Sequence, residues 1–180
     1  MVEQSRRRGN PDDPIRALPG SSGHGTVLEA MLNEALATEL VCALRYRGYS
    51  LITQHPVVDR VKRKFLRYAQ VQQEQADRIA ERIVKLGGAP HVDTSDLAAR
   101  SQSRRAAGTP LQVLLGEDLL FERMTIETYD GMVRYFDARD PMTAGLLASV
   151  LAIHVEHAEE LAELLIGPSP PLRTSAPLRT

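Results

Sequence analysis

Two histidines, His154 and His157, stand three residues apart in the run Ile153-His154-Val155-Glu156-His157-Ala158-Glu159-Glu160-Leu161. On a helix that spacing turns both rings to one face. Val150, Ile153, Leu161 and Leu164 share it, while Glu156, Glu159, Glu160 and Glu163 fall on the other side. The imidazoles therefore belong to the buried side. A hydrogen-bonded pair of core histidines is one account of them. What they do depends on whether other helices bring polar groups to the same depth.

Three other stretches do so. Glu39 interrupts the apolar series Leu28, Met31, Leu32, Ala35, Cys42, Tyr46 and Tyr49. Gln72 and Gln75 interrupt Phe65, Ala69, Ala76, Ile79, Ile83 and Leu86. Glu122, with Asp118 one turn earlier, interrupts Leu111, Leu115, Leu119, Ile126, Tyr129 and Val133. Each interruption falls near the middle of its helix, so the four imply a shared polar layer. Unpaired buried carboxylates cost several kcal/mol or become neutral. A metal ion removes that cost, and carboxylates with imidazoles suit iron, manganese or zinc. A network of Glu, Gln and His that fixes helix register removes it equally well. Spacing leaves both readings open.

The elements that position these residues follow from periodicity and from Gly and Pro. Helices are expected over residues 26–53, 57–86, 109–136 and 141–166. Pro56 suits the first turn of the second helix, and Gly87-Gly88-Ala89-Pro90 stops it. Thr109-Pro110 and Asp140-Pro141 each read as a cap followed by a first helical residue. In the connection between the second and third helices, Thr94-Ser95-Asp96 reads as a capped short turn. The connections run short, long, short. Short links make antiparallel neighbours, and the long one is a crossover along the bundle. The expected fold is all-α, a four-helix bundle of the ferritin-like type with one long crossover between the second and third helices. Residues 1–24 read as a flexible N-terminal tail, 25–166 as the bundle, and 167–180 as a Pro-rich flexible C-terminal tail.

Composition narrows the partners. Net charge is -1, which gives no pull toward nucleic acid or membrane. Arg6-Arg7-Arg8 could touch phosphate, but acids in the same tail offset them. No apolar run reaches the roughly 18 residues of a membrane span. No secretory signal pattern opens the chain, so the expected compartment is the cytoplasm. Cys42 is the single cysteine and reads as a buried core residue. His55 and His91 lie in connections without partners at ligand spacing, and Met124, Met132 and Met142 read as core or surface filler.

Four segments carry a family resemblance: Thr38-Glu39-Leu40-Val41, Ala76-Asp77-Arg78-Ile79-Ala80-Glu81-Arg82-Ile83, Leu86-Gly87-Gly88 and Glu156-His157-Ala158. The chain resembles the bacterioferritin and Dps-like group of the ferritin superfamily over residues 28–166. The resemblance implies Fe(II) oxidation at an intrasubunit di-iron centre and storage of ferric mineral in a hollow shell. It implies ligands on all four helices: Glu, Glu-x-x-His, Glu and Glu-x-x-His. Glu39, Glu122 and His157 match, and Tyr46 matches a tyrosine kept beside the centre in bacterioferritins. Gln72 and Gln75 stand where the second helix should supply Glu and His, and His154 replaces the bridging Glu of the fourth. Gln73 stands at the bacterioferritin haem-binding Met, so no haem is expected.

Charge weighs these departures. An oxo-bridged ferric pair carries four positive charges, which four family carboxylates cancel. Here Glu39 and Glu122 leave a pair about two charges uncompensated in a low-dielectric core. The resemblance therefore implies at most one divalent ion, held by Glu39, Glu122, His154 and His157. Gln72 and Gln75 would be weak oxygen ligands or donors behind them, with Tyr46 and Asp118 in support. Iron is the expected metal, with zinc or manganese as alternatives. The functions implied are iron storage or detoxification with reduced or absent ferroxidase activity, a degenerate structural subunit assembling with an active paralogue, or a Dps-like DNA-binding shell. A homo-oligomer or ferritin-like shell is expected. The C-terminal tail has the layout, but no specific motif, of a cargo peptide for a protein nanocompartment.

Overall fold

The computed structural model describes residues 23–52, 59–95, 97 and 109–166, with residues 23–26 and 52 as backbone only. Four helices carry most of them: α1 (Gly23–Ile52), α2 (Asp59–Lys85), α3 (Leu111–Phe136) and α4 (Pro141–Ile166). The expectations for both tails, Arg6 to Arg8, His55 and Pro56 fall outside the described residues.

The Gly and Pro signals act locally much as expected. Gly87 takes φ +81, and the Gly88 and Gly87 amides donate to the Ile83 and Val84 carbonyls at 3.0 and 2.9 Å. That pattern closes the end of α2 and needs a residue without a Cβ at position 87. Asp140 caps α4: the Thr143 amide and hydroxyl donate to its carboxylate at 3.2 and 2.5 Å. Arg82 of α2 reaches the same carboxylate with two bonds of 2.8 and 2.7 Å, tying two helices at one point. Three local expectations need correction. α3 begins at Leu111, with Pro110 in the cap position. The short turn after α2 is capped by Asp93, whose carboxylate accepts from the Ser95 amide at 2.8 Å. Leu86 is exposed, because the chain leaves the α2 axis there.

Helix directions follow from contacts. Tyr129 bonds Glu39 while Tyr46 bonds Glu122, so α3 runs against α1. Gln72 meets His157 and Arg78 meets Ser149, so α4 runs against α2. α1 and α2 form an antiparallel hairpin, which leaves α2 and α3 pointing the same way. The end of α2 and the start of α3 therefore lie at opposite ends of the bundle, about 40 Å apart for helices of this size. That placement of the two helix ends is the one the expected crossover requires. Its first residues are pinned to α1: the Ala89 amide donates to Glu29 at 2.9 Å, and the His91 amide donates to Asn33 at 2.7 Å.

The apolar core comes in two parts. One is built on Leu32, Ile79, Ile83, Tyr129, Phe136 and Leu147. The other is built on Cys42, Tyr49, Phe65, Tyr68, Leu115 and Leu161. Between them lies the polar layer. Met132 is core, while Met124 and Met142 are exposed.

Candidate functional site

All four helices send a polar side chain to the layer. Glu39 (α1), Gln72 (α2), Glu122 (α3) and His154 (α4) are 0, 0, 1 and 0 % exposed, and His157 is 3 % exposed. Such groups are withdrawn from water, so each must be compensated within the protein.

His154 supplies most of that compensation. Its Nδ1 donates to Glu122 Oε2 at 2.6 Å, and its Nε2 donates to Glu39 Oε1 at 2.9 Å. A ring that donates from both nitrogens is an imidazolium. Burial pushes the His154 pKa down, but the Glu39 charge and bonds to both carboxylates carry it up to about 10. Burial likewise opposes ionisation of Glu122, yet its bond with His154 and the charge there hold it down at about 2. The result is a carboxylate–imidazolium–carboxylate triad across three helices, with one net negative charge.

Two phenols complete it. Tyr46 donates to Glu122 Oε1, and Tyr129 donates to Glu39 Oε1 at 2.5 Å. Burial beside these carboxylates raises both phenol pKa values, so the phenols stay protonated as donors. Tyr129 is a site residue that periodicity hid, because in sequence it is one more large residue on an apolar face.

The remaining expected residues divide. Gln72 Nε2 donates to His157 Nδ1 at 3.3 Å, and that nitrogen lies 3.8 Å from Glu122 Oε1. Gln75 is buried, but its amide oxygen accepts from Arg78 at 2.6 Å and is spent there. Asp118 sits one turn below Glu122 and pairs with Arg45 at 3.0 Å. Burial raises the Asp118 pKa to about 6 despite that arginine. Cys42 is buried and unbridged, with its thiol pKa raised by burial and by the Glu39 charge.

Among the described residues, no three of His, Cys, Asp or Glu are arranged as they stand to hold a metal ion. His154 explains this, since both of its nitrogens address carboxylates. Within the layer, two buried oxygens, Glu39 Oε2 and Gln72 Oε1, nevertheless have no hydrogen-bond partner among the described residues. Uncommitted acceptors beside a negative charge fit one divalent cation. They do not fit a ferric pair, whose charge exceeds what the layer supplies.

A family model of the ferritin-like domain matches residues 29–166. The chain belongs to the ferritin-like domain family. Three solved structures illustrate the relation. A dodecameric thioferritin, the bacterioferritin-related protein of Bacteroides fragilis, is 25% identical with TM-score 0.69, covering 79% of this chain and 86% of that one. The bacterioferritin of Desulfovibrio desulfuricans, described with a di-iron site, is 21% identical with TM-score 0.66, covering 79% and 80%. A Dps1 mutant of Mycobacterium smegmatis is 17% identical with TM-score 0.70, covering 81% and 99%. No curated protein matches the sequence. The fold expected from the residues, a ferritin-like bundle with one crossover, is thus the family's own.

Proposed function

We propose that this chain is a subunit of an iron-storage or iron-detoxifying shell whose intrabundle site holds at most one divalent ion and does not run two-iron oxidation. Family membership and the bacterioferritin-like neighbours support iron storage at the family level. The observation that carries the rest is His154 between Glu39 and Glu122. The His154 imidazolium lies between the two carboxylates that the family resemblance makes ligands. With a divalent ion bound, Glu39 and Glu122 would balance its two charges, and His154, with one ring proton given up to solvent, would be a neutral donor. Glu39, Glu122 and His157 would hold the ion with His154, and Gln72 would orient His157. The bound ion supplies a fixed positive charge in the layer. The departures at Gln72 and His154 remove both bridging carboxylates, and with them the means of holding two irons together.

The hydrogen bonds that His154 makes to both carboxylates also favour a second reading, in which the layer is purely a register device and the subunit is structural. Metal stoichiometry decides between them. Elemental analysis after equilibration with Fe(II) under anaerobic conditions, and with Zn(II) or Mn(II), is expected to give up to one ion per subunit, released by removing the carboxylates in E39Q/E122Q. Zero ions supports the structural reading. Two cooperative ions per subunit contradict both.

A further inference from the structure

Among the described residues, His157 has one hydrogen bond to the layer, from Gln72, and a ring held by one bond can pivot. Its neighbours prevent that. The ring of Tyr68 stacks on His157 with centroids 3.8 Å apart and planes 30° apart. Tyr46 stands edge-on to the same imidazole at 5.9 Å and 88°, and edge-on to Tyr68 at 5.1 Å. One face and one edge of the imidazole are therefore walled by aromatic carbon. Tyr68 is itself fixed from outside. Its ring is fully buried, but its hydroxyl donates to Glu160 on the bundle surface. Glu160 is held in turn by Lys64 at 2.6 Å and by Arg67 at 3.2 Å. Lys64, Arg67 and Tyr68 lie on α2, and Glu160 lies on α4 one turn past His157.

We propose that Tyr68 is a positioning residue for His157, with Glu160 as the surface anchor that sets the plane of the stack. The chain of contact runs from solvent through Glu160 and Tyr68 to the imidazole, and ends 3.8 Å from the Glu122 carboxylate. Tyr68 touches neither Glu39 nor Glu122 by any hydrogen bond among the described residues, so it acts only through His157. The inference rests on the divalent-ion site proposed above for its effect on metal, but not for its effect on the ring. Supports behind a metal-binding histidine are typically worth 10- to 100-fold in affinity.

The test uses the full chain with Tyr68→Phe, Tyr68→Leu and Glu160→Ala. In metal-free protein, the His157 ring protons, assigned by their loss in H157Q, are expected upfield because they lie over the Tyr68 ring. Y68L loses that shift, while Y68F and E160A, which both break the Tyr68–Glu160 bond and keep the ring, reduce it. Zn(II) affinity, read by competition with a chromophoric chelator, is expected about 10- to 100-fold weaker in Y68L, with a smaller loss in Y68F. E160A leaves the core intact and gives an intermediate loss, which covers the case in which Y68L does not fold. Wild-type His157 signals and affinity in both Y68L and E160A overturn the proposal, as does a Y68F loss equal to that of Y68L. If no protein binds Zn(II), the divalent site is wrong, and the ring shifts alone decide the role of Tyr68.

Discussion

His154 carries the chemistry of this protein at the scale of single residues. Removing one member of a buried charge network leaves the others uncompensated, which typically costs about 3 to 5 kcal/mol. H154A should lose stability on that scale in urea unfolding, since Glu39 and Glu122 then face each other across a cavity. Y129F leaves one Glu39 oxygen short of a donor and should cost about 1 to 3 kcal/mol. The pH dependence has a definite sign. His154 is raised to about 10, so its contribution is complete below the unfolded value of 6.5 and is lost as pH climbs through 10. Glu122 is lowered to about 2, so its contribution is complete above the unfolded value of 4.5 and is lost as pH falls toward 2. Asp118, raised to about 6 from 3.8, works oppositely and weakens the fold as pH rises between those values. Stability of the metal-free protein should therefore peak between about pH 4 and 4.5, decline toward pH 6 and fall further between 6.5 and 10. A urea midpoint that is flat from pH 6 to 10 contradicts the triad. Much of this layer was legible in sequence, because charged or amide residues at the centres of apolar faces stand out against periodicity. Glu39, Gln72, Glu122, His154 and His157 were readable on that ground. Gln75 has the same signal, yet its oxygen turns to Arg78. Tyr68, Tyr129 and Arg45 carry no such signal, because their partners lie on other helices, 92, 90 and 73 positions away.

At the scale of elements, the ends of helices decide how the layer is assembled. Asp140 is both the cap of α4 and the anchor for Arg82 of α2. D140A should cost about 0.5 to 2 kcal/mol from the cap, with further loss from the freed arginine, read as a lower thermal midpoint. Gly87, at φ +81, should lose about 1 to 2 kcal/mol on change to Ala, because a Cβ there is strained. A Cβ at Gly88 would stand 3.0 Å from the Glu29 carboxyl and 3.1 Å from Ile83, against the contact that pins the crossover. Sequence located these signals well, since Gly and Pro act through local geometry. It erred by one residue at Leu111 and by one at Asp93, where a side chain and its neighbour compete for the same capping place.

For the whole molecule, the polar layer divides two apolar halves and links the α1–α2 hairpin to the α3–α4 hairpin. Those hairpins meet through hydrogen-bonded pairs from Arg45–Asp118 to Arg82–Asp140, so register between them is set by polar chemistry as much as by packing. Large apolar side chains also face outward, including Leu44, Leu51, Leu120 and Met142 at 49, 73, 61 and 75 % exposure. A lone subunit of 19.9 kDa would present all of them to water. Light scattering should give a mass many times that value, and a monomer would contradict the shell. The directions of the helices, and hence the crossover, were legible from loop lengths alone, because short links leave only one way round.

Rapid mixing of the metal-free protein with Fe(II) and O2 reads the two-iron reaction itself. No fast phase of O2 consumption is expected at two Fe(II) per subunit, and the same trace is expected in H154A. Rapid oxidation of two irons per subunit, lost in E39Q or E122Q, would contradict it.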